Sequence, residues 1–90
     1  MSVKVEIPSI YSRYAGNHTS FEVDGKTVGE AIRHIGRDYP DLEKLILTGD
    51  GRPLNSISIF VNGELAYPDA PAWPVSDGDK IKVVILIQGG

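Results

Sequence analysis

The sequence predicts a two-layer α+β domain in which one main helix packs against a mixed β-sheet. Three observations support this prediction: strand-like alternation at the N-terminus, a capped amphipathic helix that begins after Thr27, and an isoleucine- and valine-rich run at the C-terminus. The 90 residues can build one core, and no internal repeat or linker divides them. We therefore expect a single small domain.

The first elements read as a β-hairpin. Residues 2–8 alternate valine and isoleucine with polar residues, which is typical of a strand with one buried face. A polar connection follows at residues 9–19. Phe21 and Val23 then lie on one face of a second short strand.

The next segment predicts the main helix. Thr27 and Glu30 fit the capping box, in which each side chain satisfies a free backbone N–H of the first turn. Apolar residues follow at helical spacing, namely Val28, Ala31, Ile32 and Ile35. Tyr39-Pro40 should end the helix, because a residue before proline disfavours the α conformation. Residues 41–47 predict a short second helix, with Leu42, Leu45 and Ile46 packed beneath it.

The second half of the chain predicts another hairpin and a long loop. Residues 57–61 alternate, with the two isoleucines and the valine facing the helix. Asn62-Gly63 is a strong hairpin signal, since both residues accept positive φ, so a return strand is expected at 64–66. Residues 67–76 contain three prolines and should form a loop with Trp73 packed under it.

The C-terminal run organises the chain. The apolar residues from Ile81 to Ile87 predict a buried, central strand, and Gly89 and Gly90 follow it. We therefore expect a domain over residues 1–87 and a flexible tail over residues 88–90. The α-carboxylate of Gly90 is the tail's only distinctive chemical group, which makes it the candidate functional group.

Strand alternation also predicts a partner-binding patch. If the odd-numbered residues of the two strands point to the helix, then Phe60, Val84 and Leu86 point to the opposite face. If the two strands are neighbours, the three side chains form one exposed apolar patch near the tail. The alternative is that the loop at 67–76 covers them, through Trp73.

Composition and spacing exclude several other classes of function. The net charge of −3 comes without a basic stripe, and the absence of cysteine excludes disulfides, thiolate catalysis and iron–sulfur clusters. His18 and His34 lack a third ligand, and Asp77 and Asp79 flank a turn glycine, so neither pair predicts a metal or catalytic site. We expect no catalytic residues, no metal, no nucleic-acid or membrane partner, and a cytoplasmic location.

Several motifs together resemble one family. They are Val-Lys-Val-Glu-Ile-Pro-Ser at 3–9, Thr-Val-Gly-Glu-Ala-Ile at 27–32, Tyr39-Pro40, Ser-Ile-Phe-Val-Asn-Gly at 58–63, Asp-Gly-Asp at 77–79 and the terminal Gly89-Gly90. Over essentially its full length the chain resembles the ubiquitin-like sulfur carriers of the MoaD/ThiS family, and its opening is most like the molybdopterin and cysteine-biosynthesis branches. It departs from the Pro-Ala-Val-Ala-type approach to the glycines that many members have, carrying Ile-Leu-Ile-Gln at 85–88.

The resemblance implies a β-grasp fold, with four to five strands on one main helix, in which the strands of Phe60 and Val84 are neighbours. It also implies a particular chemistry at the C-terminus. An E1-like adenylyltransferase would use Mg-ATP to adenylate the Gly90 carboxylate, and a sulfur donor would convert it to a thiocarboxylate. A sulfur-accepting synthase of cofactor or cysteine biosynthesis would then take the sulfur. Gly89 would give access to a narrow catalytic channel. The chain itself would bind no cofactor and would be a monomer when free.

Two alternative functions stay open from the sequence. One is a protein modifier that forms isopeptide bonds through Gly90, and the other is a non-covalent interaction module with the same fold. Deletion of Gly89-Gly90 should abolish both the carrier and the modifier function but spare simple docking.

Overall fold

The computed structural model describes residues 2–86 and confirms the α+β class. The elements are β1 (Val3–Glu6), β2 (Ser20–Val23), α1 (Val28–Gly36), α2 (Pro40–Ile46), β3 (Ile57–Val61), β4 (Glu64–Leu65) and β5 (Lys80–Ile85). A short 3-10 helix, Ser9–Tyr14, follows β1. The strands form one five-stranded sheet in the order β2-β1-β5-β3-β4.

The predicted central position of the last strand is confirmed. β5 pairs in parallel with β1 and antiparallel with β3, with Val5 opposite Ile81 and Ile59 opposite Val83. The strand ends at Ile85, two residues before the predicted end, although the backbone N–H of Leu86 still donates to the Ser56 carbonyl at 2.6 Å. The predicted inward position of Ile87 and the domain boundary after it lie outside the described residues, so both stay predictions.

The core lies between the sheet and the two helices, where the predicted apolar stripes meet. Its most buried large side chains come from every layer: Ile32, Leu42, Ile46, Ile59, Ile81, Val3, Val5 and Val28. Among the described residues no polar or charged residue is buried. The fold is therefore held by apolar packing, with hydrogen bonds satisfied at the turns and caps.

The capping box at the start of α1 forms with one change. The Glu30 N–H donates to Thr27 Oγ1 at 3.2 Å, as expected, but the Glu30 carboxylate accepts from the N–H of Lys26 at 3.1 Å. The helix ends at Gly36, so the predicted end at Tyr39 is wrong by three residues. Pro40 begins α2 instead, where the missing N–H has no helical partner to lose.

The second helix is confirmed with a smaller buried face than predicted. Leu42 and Ile46 are buried, whereas Leu45 is only half-buried. On a helix of seven residues, positions four apart make one stripe, and the residue beside them faces the rim. The prediction for Leu45 is therefore wrong in degree.

The second hairpin and the proline-rich loop form as predicted. Asn62 and Gly63 have φ of 51° and 85°, the two positive values that a tight hairpin needs. Trp73 packs partly buried against the core, and its carbonyl accepts from the Val28 N–H at 3.0 Å. The loop therefore closes over the N-terminal end of α1.

We expect Ile81→Ala to destabilise the domain strongly. The Ile81 side chain is fully buried in the central strand, and such a truncation typically lowers the free energy of unfolding by about 2–5 kcal/mol. Leu65→Ala, at a side chain that is 46% exposed, is the matched control and should cost far less. Urea denaturation measures both, and equal losses would contradict a core centred on β5.

Candidate functional site: the outer face of the sheet

The face of the sheet opposite the helices, here called the outer face, carries the predicted patch residues. In the central strand β5 the outward side chains are Lys80, Lys82 and Val84, because the alternate residues Ile81 and Val83 are buried. Since β5 is flanked by strands on both sides, its outward side chains lie in the middle of this face. The chain leaves the sheet at the end of the same strand.

Phe60 and Val84 are brought together on the outer face. The register places Phe60 opposite Lys82 and Val84 opposite Ser58, so Phe60 and Val84 are diagonal neighbours across β3 and β5. Both are half-buried and line one groove, with Lys80 and Lys82 beside them. The apolar surface here is a groove between lysine stems, which is narrower than the open patch that the sequence predicted.

The third predicted patch residue, Leu86, lies just beyond β5. Leu86 is 53% exposed. No described contact places Leu86 inside the groove of Phe60 and Val84. The patch as a partner-binding surface stays a prediction.

The proline-rich loop does not cover this face. Its bonds run to the helix side of the sheet: Pro74 bridges Thr27, and the Pro71 carbonyl accepts from the Gly29 N–H at 3.0 Å. Trp73 contacts the core instead of the groove of Phe60 and Val84. The alternative in which Trp73 covers the patch is therefore wrong.

Two apolar residues near the groove escaped the sequence analysis. Leu65 pairs directly with Phe60, and the two-residue turn at Asn62-Gly63 sets this register. Strand alternation could therefore have placed Leu65 on the outer face. Ile10 is 64% exposed and lines a second groove with Val84 and Ile85. It lies in the 3-10 helix after β1, where no periodic pattern pointed to it.

Charged side chains frame the outer face. Glu6 lies 3.1 Å from Lys80 Nζ and 3.9 Å from Lys4 Nζ. The hydrogen bond from Lys80 is the main cause that lowers the pKa of Glu6 below its ordinary value, and the charges of Lys80, Lys4 and Lys82 add to it. These pairs are exposed and contribute little to stability. They place the Lys4 and Lys80 ammonium groups beside Glu6 on the outer face of β1 and β5.

The turn before β5 binds its two neighbouring strands. Asp79 accepts from the Asn62 side-chain amide at 3.0 Å and from the Ser76 N–H at 2.7 Å, and these bonds lower the pKa of Asp79. Asp77 accepts from the Ser2 N–H at 2.7 Å. The two carboxylates therefore serve the turn, as the sequence analysis interpreted them.

The diglycine lies beyond the described part of the chain. Gly89 and Gly90 follow Leu86 by three and four residues, and their roles stay predictions. Between Ser2 and Leu86, no cluster of three or more histidine, aspartate or glutamate side chains could hold a metal ion. Within the same range no helix has the length and hydropathy to cross a bilayer.

The strand order and the helices on one face of the sheet place the chain in a known class of fold. A five-stranded mixed sheet in this order, with a helix across one face, defines a ubiquitin-like β-grasp domain. The chain belongs to the ThiS family, whose model matches residues 5–90. It is therefore a member of the ubiquitin-like sulfur carriers and modifiers, which are carrier proteins and not catalysts.

Solved structures agree with this assignment. A chain of the Amycolatopsis orientalis BexX/CysO complex superposes with a TM-score of 0.88 at 26% identity, covering 98% of this chain and 99% of that one. SAMP1 from Haloferax volcanii gives 0.81 at 26% identity with full coverage of both chains. CysO from Mycobacterium tuberculosis gives 0.85 at 24% identity over 94% and 99%, a likeness of fold. No functionally curated protein matches the sequence significantly.

We expect Asp79→Asn to flatten the acid limb of the stability profile. The pKa of Asp79 in the folded protein lies below the ordinary value of 3.8, so the carboxylate stabilises the fold above that value. This contribution is lost as the pH falls through the lower, folded-state pKa. Below about pH 4, the free energy of unfolding should therefore fall less steeply in the variant.

Denaturation at a series of pH values measures the effect. Asp69→Asn is the control, because the Asp69 carboxylate makes no side-chain hydrogen bond in the described structure, and we expect it to keep the parent profile. An unchanged slope in Asp79→Asn would mean that the turn does not depend on this charge.

Proposed function

We propose that this protein is a sulfur carrier whose Gly90 carboxylate is converted to a thiocarboxylate for cofactor or cysteine biosynthesis. The observation that carries the proposal is the extent of the family match, which runs to residue 90 and so includes Gly89-Gly90. The central position of β5 supports it, because the strand that leads to the tail is held on both sides. The tail would thus extend from a rigid base.

The chemistry requires activation, because a carboxylate is a poor electrophile. In the proposed first step, the Gly90 carboxylate attacks the α-phosphate of ATP on an E1-like enzyme, with Mg²⁺ bound to the nucleotide, and pyrophosphate leaves. A persulfide sulfur of the donor then attacks the acyl carbon and AMP leaves, which gives an acyl disulfide. A thiol cleaves the S–S bond, and the thiocarboxylate and a disulfide are the products.

This chain contributes no sulfur and no reducing thiol to those steps. It contains no cysteine, so the persulfide and the cleaving thiol must both come from other molecules. Its own contribution is a slim terminus: without a Cβ, Gly89 and Gly90 fit a channel that other residues would obstruct. The terminal thiocarboxylate would then be the nucleophile that delivers sulfur in the active site of the sulfur-accepting synthase.

The outer face would guide this terminus to its partners. Phe60 and Val84 supply apolar surface on β3 and β5, Leu86 lies beyond the end of β5, and Lys80 and Lys82 add positive charge to the groove of Phe60 and Val84. A partner with an apolar anchor and a carboxylate rim is complementary to this face. The two groove residues are held by the register of β3 and β5, so the surface is preorganised.

A second candidate function is protein modification through an isopeptide bond. The likeness to SAMP1, a small archaeal modifier protein, favours it at 26% identity over both full chains. Activation by adenylation would be the same, but a lysine amine would attack the activated Gly90 instead of a sulfur. The acceptor therefore separates the two functions.

We expect intact-mass spectrometry to detect the thiocarboxylate. Incubation with the host E1-like enzyme, Mg-ATP and a persulfide donor should raise the mass by the difference between sulfur and oxygen, only when ATP is present. A variant without Gly89-Gly90 should show no change. Covalent adducts on larger proteins would instead support the modifier function.

An unchanged mass would contradict the proposed sulfur carrier function. If the activating enzyme loads another carrier but leaves this chain unchanged, then the sulfur carrier function is wrong. A docking module would then be the remaining function, and deletion of the two glycines should leave its binding intact.

We expect Val84→Asp to slow this loading without unfolding the protein. A carboxylate in the groove beside Phe60 would need desolvation when a partner's apolar surface covers it. Loss of a central interface anchor reduces binding by about tenfold or more, so loading at subsaturating enzyme should fall by a similar factor. Single-turnover loading rates measure the effect.

Tyr67→Asp is the matched control for Val84→Asp. Tyr67 is 64% exposed and lies in the loop on the other side of β4 from the groove. It should leave the loading rate within about twofold of the parent, as surface positions outside an interface usually do. Equal effects of the two substitutions would contradict the outer face as the docking surface.

A further inference from the structure

The strand β2 forms one edge of the sheet, and its outward backbone groups are unpaired. The ladder to β1 continues with a bond from the Ile7 N–H to the Thr19 carbonyl at 2.9 Å. Since hydrogen-bonded pairs alternate along an antiparallel ladder, the backbone groups of Ser20 and Glu22 point away from β1. Over residues 2–86 no backbone or side-chain group pairs with them.

The opposite edge of the sheet is closed to strand addition. β4 has only two residues, and its pairing with β3 continues by one further bond, from the Ala66 N–H to the Ile59 carbonyl at 2.9 Å. The segment that follows contains Pro68 and Pro71, which have no N–H to donate. Short strands and prolines are the usual protection of an edge, whereas β2 is twice as long as β4 and contains no proline.

The inner side of β2 is incompletely covered. Val3 and Val5 of β1 are 2% and 0% exposed, but their direct partners Val23 and Phe21 are only half-buried. Phe21 packs against Tyr39, with ring centroids 5.7 Å apart. The sides of these residues that face away from β1 line a groove between the free edge and α1, together with Ile35.

A cationic groove continues from the C-terminal end of β2 along α1. Lys26, Arg33 and Arg37 line it, with Asp24 and Glu30 as its carboxylates. The Glu30 carboxylate already accepts from the Lys26 N–H. No carboxylate of residues 2–86 lies within 4.0 Å of either guanidinium, so the two arginines, one helical turn apart, present free positive charge.

We propose that β2 accepts an extended segment of a partner protein by strand addition. The segment would hydrogen-bond to Ser20 and Glu22, place alternate apolar side chains against Phe21 and Val23, and carry acidic residues beside Arg33 and Arg37. Strand addition derives its affinity from the backbone bonds and its specificity from the alternate side chains. Charge complementarity selects an acidic partner and fixes the end at which its acids lie.

This docking site is separate from the C-terminal chemistry and does not rest on the proposed function. β1 lies between β2 and the central strand, so the added segment would leave the groove of Phe60 and Val84 open. One partner could hold the protein by its edge while another acts on its terminus. The two interactions are thus tested independently.

Binding of a synthetic peptide tests the proposal. The probe has an alternating valine–serine tract followed by a run of aspartates, and a control peptide carries lysines in place of the aspartates. Amide NMR spectra should show saturable shifts at Ser20 and Glu22 with the acidic peptide and weaker binding of the lysine peptide. An absence of shifts, or shifts centred on Phe60 and Val84, would overturn the proposal.

A backbone variant with a matched control separates strand addition from side-chain contact. Glu22→Pro removes an N–H that points away from β1, so it breaks no ladder bond to β1. Proline is tolerated at such a free edge. It should weaken binding by about tenfold or more, whereas Glu22→Ala, which keeps the N–H, should stay within about twofold. Retained binding in folded Glu22→Pro would overturn the proposal.

The charge contribution has its own pair of variants, which also serves if Glu22→Pro fails to fold. The double substitution Arg33→Glu and Arg37→Glu should weaken binding of the acidic peptide by about fivefold or more. Lys44→Glu, on α2, should leave the affinity unchanged. Equal effects would contradict the proposed placement of the acids. If the protein instead forms concentration-dependent dimers and Glu22→Pro abolishes them, then a second copy of this chain binds the β2 edge. That result would overturn the proposed partner.

Discussion

The structure depends on the insertion of its last strand between its first and third. β5 pairs with β1 across 76 positions of sequence, Lys4 lying opposite Lys80, and with β3 on its other side. In the described sheet, β1–β2 and β3–β4 are two ladders that pair with each other only through β5. The sheet is thus a product of non-local pairing, which costs loop-closure entropy before it gains contacts.

The turn that leads into β5 explains how this pairing is held in register. Asp77 bonds to Ser2 ahead of β1, and Asp79 bonds to Asn62 at the tip of the β3–β4 hairpin. The Asn62 side-chain oxygen also accepts from the Lys80 N–H at 2.9 Å. A few polar contacts therefore connect the start of the central strand to both of its neighbours, while apolar packing supplies the stability.

The same constraint separates the surfaces of the molecule. Because the helices cover one face of the sheet, the outer face and the β2 edge are what the sheet can offer to partners. The central strand ends at Ile85, next to the outer-face side chain of Val84, and the exposed Leu86 follows it. Structures of CysO and SAMP1 share this fold at 26% identity, so the fold tolerates wide change in sequence.

Some of the site residues could be predicted from the sequence and others could not. Strand parity placed Phe60 and Val84 on the outer face without knowledge of the sheet, because side chains alternate strictly along a strand. It could also have placed Leu65 opposite Phe60, since the Asn62-Gly63 turn sets that register. Ile10 lies in a 3-10 helix with no such period, and only the folded chain brings it beside Val84.

By itself the sequence determined the element types, the buried faces and the two hairpins, because capping, alternation and positive-φ turn residues act over a few positions. Tertiary structure decided the rest. It ended α1 at Gly36, turned the loop of Trp73 toward the helix and left the β2 edge open. These features depend on which distant segments meet, and local preferences carry no information about a partner that lies many residues away.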